Sequence, residues 1–205
     1  MRPAAEILLI EASALRPILE SAAPGDFDRP TVCTGWSVRD VLAHCAAALT
    51  HVAAGTVHRF TPEDNQADVD LRGEWDLDTL LAELWDGYDA AATAIDAAGG
   101  LLDGVGIGEW MHGGDVREAI GAPHAYSSEG SDRALELLIE RSHSAEKPGI
   151  EVLIDLQPYR FGVGTFEAHL VTDLETFIRL TGDRRPDPDR YRLEGATTGG
   201  LVLFS

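Results

Sequence analysis

Apolar positions recur at helical spacing over the first 146 residues and change to alternation beyond them. Leu8, Ala12, Leu15 and Leu19 share one face between residues 4 and 22, with Glu6, Ser13, Arg16 and Glu20 elsewhere around it. This predicts an amphipathic helix that Pro24-Gly25 ends. Residues 26–35 read as a connecting loop, held extended at Pro30. A second helix starts at Ser37, where Ser37-Val38-Arg39-Asp40 is close to a capping box and Trp36 stands where a hydrophobic staple belongs. Its apolar face is Val38, Val41, Leu42, Cys45, Leu49, Val52 and Thr56. His44 lies at the margin of that face, and His51 and His58 follow at seven-residue steps on the same side. Phe60 to Glu74 is acidic and without a period, so it reads as a surface loop. Asp76 caps a third helix over roughly 77–98, with a stripe of Leu77, Leu80, Leu81, Leu84, Trp85, Tyr88, Ala91, Ala92 and Ile95. Gly99-Gly100 stops it. A fourth helix runs from about Gly104 to Ile120, with Gly121 at the C-terminal cap and Pro123 beyond. Gly113 and Gly114 in its interior each cost about 1 kcal/mol relative to Ala. Such glycines mark a close approach by another backbone or by a ligand. Residues 131–146 make a fifth helix.

The texture changes at Lys147-Pro148-Gly149. Glu151–Leu156 and Thr165–Val171 alternate as half-buried strands do, and Tyr191–Leu193 and Leu201–Phe204 read as short strands. Between them, Thr172–Thr181 is a short helix stopped by Gly182. The predicted class is α+β. An N-terminal up-and-down four-helix bundle occupies residues 1–146, and a small α+β region occupies 147–205.

A net charge of −19 would repel phosphate backbones, which argues against nucleic-acid binding. No apolar run reaches the ~20 residues that span a bilayer. Glu6 and Glu11 interrupt the N-terminal apolar run, unlike the core of a signal peptide. The only two cysteines, Cys33 and Cys45, make no disulfide framework and suit a reducing cytoplasm.

The candidate chemistry lies on the second and fourth helices. Glu109 and His112, three apart, share one helical face, and bundles build metal sites from such Glu-x-x-His pairs. His44 on the second helix would add a third ligand. Two imidazoles and a carboxylate leave a divalent ion open positions for water or substrate. The plainer alternative is an exposed ion pair and structural histidines. Asp115, three residues after His112, either orients that imidazole or belongs to a solvated face. Cys33 is either a reactive thiol near a helix start or a small buried turn residue, and Cys45 belongs to the core. Arg184 and Arg185 either bind a carboxylate of cofactor or substrate or form a basic surface turn. His58, His124, His143 and His169 have no evident partner in the sequence.

CTGWSVRDVLAH (residues 33–44) resembles the C-x-G-W-x-V-R-D-x-x-A-H signature of the mycothiol-dependent maleylpyruvate isomerase family, actinobacterial enzymes built on the DinB-like metal-binding four-helix bundle. HGGDVREAIGAP (112–123) resembles that family's second signature, and DLETFIRLTGDRRPDPDRYRLEG (173–195) resembles the end of its small C-terminal domain. The resemblance implies a divalent ion, usually zinc, held by His44, a Glu and His112. It implies a thiol cofactor, mycothiol or a similar low-molecular-weight thiol, and a small electrophilic substrate. The reaction would be isomerisation through thiol addition and elimination, or S-transfer. The family's Glu commonly lies four residues before its His, where this chain has Gly108. Glu109 substitutes for it, or the site is two-His, recruits Asp40 or His51, or has no metal. The alternative function is a non-catalytic bundle that binds a small molecule or a metal. The implied partners are a small-molecule substrate and a thiol, with no nucleic acid or membrane, and a homodimer is left open.

Overall fold

The computed structural model describes residues 1–57 and 61–204, so His58 lies outside the described residues. The chain divides into two compact units, Met1–Gly130 and Ser131–Ser205. The helix that precedes the sheet falls within the second of these units.

Among the described residues, the first unit holds five α-helices: α1 (Pro3–Ser21), α2 (Val38–Ala54), α3 (Pro62–Arg72), α4 (Leu77–Ala97) and α5 (Asp103–Ile120). Helices α1 and α2 each pack on both α4 and α5, which closes a four-helix bundle. Its core is apolar and continuous, from Ile7, Leu8 and Leu15 through Val41, Leu42 and Leu49 to Leu80, Leu84, Tyr88 and Trp110. The predicted caps form. Ser37 accepts from the Asp40 amide and Asp40 accepts from the Ser37 amide, so α2 starts on a complete capping box. Asp76 caps α4 through the Thr79 amide. Gly121 ends α5 at φ 76°, a left-handed conformation that costs glycine little.

The stretch expected as a loop, Phe60–Glu74, instead contains α3. Its period is invisible in the sequence because only Val69 and Arg72 are buried. Polar contacts hold it in place. Thr61 caps it through the Asp64 amide. Arg72 donates to both carboxylate oxygens of Glu83 on α4, at 2.6 and 2.8 Å. His51 on α2 pairs with Asp68 at 3.2 Å.

The second unit comprises α6 (Ser131–Ser144), β1 (Pro148–Ile154), β2 (Gln157–Phe161), β3 (Val163–Thr172), α7 (Leu174–Thr181) and β4 (Tyr191–Glu194). The sheet order is β2-β1-β3-β4, with β1 and β3 parallel and the outer pairs antiparallel. Ile150, Val152 and Ile154 of β1 line up with Ala168, Leu170 and Thr172 of β3, all buried. Phe161 and Phe177 meet edge to face behind them, with centroids 6.1 Å apart. β2 escapes a reading by alternation because it carries Pro158 and buries only Phe161 fully. Leu201–Phe204, expected as a strand, forms none; it is anchored by the Leu203 amide on the Thr181 carbonyl at 2.7 Å and by the buried Leu201 side chain.

Helices α1 and α5 meet at Gly106, where an added Cβ would lie 2.2 Å from the Ala4 carbonyl oxygen. Gly106→Ala should therefore lower the thermal midpoint. Overpacking against backbone costs about 1–3 kcal/mol, more than the roughly 1 kcal/mol that Ala gains in helix propensity. A midpoint that rises would show that the helices separate freely there.

Candidate functional site

A tight turn presents the head of α2. The Trp36 amide donates to the Cys33 carbonyl at 2.9 Å, and the Thr31 amide donates to the Trp36 carbonyl at 2.9 Å. Gly35 takes φ 86° inside that turn, the left-handed conformation that favours glycine. Cys33 is thereby displayed half-buried, and Trp36 is laid beside the imidazole of His44, with centroids 5.1 Å apart. Trp36 Nε1 also donates to Gln66 Oε1 on α3 at 2.9 Å, so the unexpected helix braces this turn.

His44 is buried at 8% exposure, and its ring stands edge-on to His112 of α5, with centroids 5.1 Å apart. The two histidines predicted to act together are brought together. Burial and the neighbouring His112 charge push the His44 imidazole down to about 3, so it is neutral with a lone pair available at any ordinary pH.

His112 Nδ1 lies 3.0 Å from Asp115 Oδ2. The Nδ1–H tautomer satisfies that carboxylate and leaves Nε2 as the lone-pair nitrogen. Of the two alternatives for Asp115, the orienting one is the one seen. Its carboxylate is wholly buried and gathers two more donors, the Cys33 thiol at 3.2 Å and the Tyr126 hydroxyl in a short hydrogen bond. Cys33 Sγ is 3.8 Å from His112 Nδ1. Among the described residues, Cys33, His112 and Asp115 are the group whose ligand atoms all lie within 4.8 Å of one another.

Glu109 is not in that group. It is 3% exposed, its carboxyl is hydrogen-bonded to the Cys45 thiol, and its Oε2 is buried with no partner among the described residues. Burial pushes it up to about 8; the Cys45 hydrogen bond opposes that shift and the nearby Glu11 charge adds to it. Glu11 on α1 is itself wholly buried and ion-paired with Arg117 at 2.6 Å, yet burial still raises it. The glycines of α5 make room for these polar neighbours. A Cβ at Gly113 would lie 1.7 Å from Glu11 Oε1, and one at Gly114 would lie 2.6 Å from the Tyr126 ring. Both glycines are closely approached, but the nearest atoms belong to the Glu11 and Tyr126 side chains, where another backbone or a ligand was expected.

Of the remaining candidates, Asp40 is engaged in the capping box and His51 in its contact with Asp68. Arg184 and Arg185 follow α7 in the second unit, where Arg184 donates to the Gly182 carbonyl and Arg185 is exposed. Sequence reasoning missed Tyr126 and the Cys33–Asp115 contact. Neither has a spacing signal, since the loop after α5 and the turn before α2 meet only in the fold.

A helical bundle with a polar seam between facing helices is a scaffold for binding a metal or a small molecule. The chain belongs to the family of the mycothiol maleylpyruvate isomerase N-terminal domain, whose sequence model matches residues 8–125, more than half of the chain. Two crystal structures of the mycothiol-dependent maleylpyruvate isomerase are similar to it in fold. A point mutant matches at a TM-score of 0.60 and 14% identity, covering 94% of this chain and 93% of that one. A second structure of that enzyme matches at 0.59 and 13% identity, with the same coverage of 94% and 93%. Among curated proteins none matches the chain.

Glu109 yields a test in metal-free protein. Its folded value of about 8 exceeds its ordinary 4.5, so the folded state holds a proton that the unfolded chain has already lost. Stability from this group is present below pH 4.5 and is lost as pH rises towards 8. In the presence of chelator, the urea midpoint should fall across that window, and Glu109→Gln should flatten the fall. The same slope in both proteins would assign the pH dependence to Glu11 alone.

Proposed function

We propose that this chain is a thiol-dependent isomerase or S-transferase acting on a small electrophile at the His44–His112 site, with a mycothiol-like low-molecular-weight thiol as cofactor. Membership of the family and the fold shared with the mycothiol-dependent isomerase support the reaction class. The observation that carries it within this chain is the pair of imidazoles at 5.1 Å, one held neutral by burial and the other oriented by a buried carboxylate.

The site suits a divalent ion, zinc by its donors, held by His44, Glu109 and His112. The fit rests on two features: two imidazoles facing each other, and a buried Glu109 oxygen without a partner among the described residues, which a cation would satisfy. Such an ion lowers the pKa of a bound thiol and makes it the nucleophilic thiolate. The chain's own residues do the rest. Asp115 fixes the His112 tautomer and ring orientation. Trp36 shields one side of His44 from water, which strengthens electrostatic interactions inside the site. Arg184 and Arg185 would pair with a carboxylate of cofactor or substrate. Two free cysteines suit a reducing cytoplasm.

A second reading is a non-catalytic bundle that binds a metal or small molecule. It draws on Gly108, which stands where the family commonly has its Glu, and on Glu109, whose carboxyl is engaged with Cys45.

The test is zinc analysis of the purified protein, followed by assay with mycothiol and maleylpyruvate. Chelation should abolish turnover and zinc should restore it. His44→Ala should weaken zinc binding by more than the roughly 10–100-fold that loss of an outer-shell partner costs. Full zinc binding without turnover of any thiol–electrophile pair would favour the binding module, and turnover untouched by chelation would sink the metal-dependent enzyme. Tyr126→Phe, which removes the hydroxyl behind Asp115, should cost roughly 10–100-fold in zinc affinity; an unchanged titration would show that the imidazole needs no such support.

A further inference from the structure

The geometry points to a thiolate cation site formed by Cys33, His112 and Asp115, beside the His44–Glu109 position and sharing only His112 with it. Three donors of different chemistry converge: Sγ to Oδ2 at 3.2 Å, Nδ1 to Oδ2 at 3.0 Å, and Sγ to Nδ1 at 3.8 Å. A tetrahedral zinc with its usual bond lengths sets sulfur–nitrogen and sulfur–oxygen separations of roughly 3.6 Å and a nitrogen–oxygen separation of roughly 3.3 Å. The triangle in the structure is already close to that size, with its two hydrogen-bonded edges the shorter ones.

The donors are also balanced in charge. A thiolate, a carboxylate and a neutral imidazole cancel a divalent ion, so the occupied site is neutral around its wholly buried carboxylate. Binding releases one proton to solvent, that of the Cys33 thiol, while the His112 proton moves from Nδ1 to Nε2. Cys33 is half-buried and 17% of the His112 side chain is exposed, which gives an ion a way in. Tyr126 stays on the other carboxylate oxygen and holds Asp115 in place. Sulfur in the donor set selects soft or borderline ions such as zinc, cobalt(II) and cadmium over magnesium and calcium.

Occupation of this position removes the Nε2 lone pair of His112, so the two cation positions exclude each other. Bound ion is therefore divided between the two positions by their relative affinities, and turnover follows the fraction held at His44.

The experiment titrates the reduced, metal-free full chain with cobalt(II) alone, in the wild type and in Cys33→Ser, Cys45→Ser and His44→Ala. The expected result is a near-ultraviolet sulfur-to-cobalt charge-transfer band, lost in Cys33→Ser and kept in both other variants. Visible cobalt bands with no sulfur band, abolished by His44→Ala, would overturn the thiolate site and leave the proposed function standing. A sulfur band that survives His44→Ala supports the thiolate site even where the His44–Glu109 ligand set fails. A band that follows Cys45 overturns it. Should Cys33→Ser fail to fold, iodoacetamide labelling of Cys33 in the wild type decides: zinc should slow it at least tenfold, and an unchanged rate would overturn the site.

Discussion

The buried carboxylate of Asp115 is the constraint around which the bundle is arranged. It sits on α5 with no exposure and accepts from a thiol before α2, an imidazole one turn earlier on its own helix and a phenol hydroxyl beyond the helix end. An ionised carboxylate in an apolar interior costs several kcal/mol unless its lone pairs are satisfied. Here three donors satisfy them, and each comes from a different segment. Satisfying Asp115 therefore fixes the Cys33 turn, the His112 ring and the loop carrying Tyr126 relative to one another.

The rest of α5 follows from the same demand. The helix carries Glu109, Asp115 and Arg117 into the core, where Arg117 is almost fully buried against Glu11. Polar side chains cannot interdigitate as aliphatic ones do, so the helix yields volume at Gly113 and Gly114, where Glu11 and the Tyr126 ring enter. Glu109 remains imperfectly satisfied, and burial answers by favouring its neutral form. A group that is costly in the metal-free chain is one whose energy a cation can lower. The same low dielectric keeps His44 uncharged. Electrostatics and fold are thus one problem along this seam.

Elements with many buried apolar positions were legible in the sequence. Helix α4 reads from its stripe, α2 from Ser37 and Asp40, and α5 from Gly121. Helix α3 was not legible, because one valine and one arginine make its buried contact and the arginine's partner, Glu83, belongs to another helix. β2 failed for a similar reason, and the terminal Leu201–Phe204 has a strand-like composition without a strand partner. Of the site, the Asp115–His112 contact was visible because a three-residue step on a helix is local geometry. The Cys33 contact was hidden because it joins residues 33 and 115.

The sequence by itself determined the class, the caps, the helix faces and the family, since these depend on residues within a turn or two of each other. It also marked His44 and His112 as the pair to watch. Only the tertiary structure decided which groups meet: that His44 faces His112, that Glu109 rests against Cys45, and that Cys33 shares a carboxylate with His112. Local spacing says which side of a helix a residue occupies. Which neighbour lies across that face is set by how the helices pack, and here that packing follows from burying one carboxylate without leaving it unpaired.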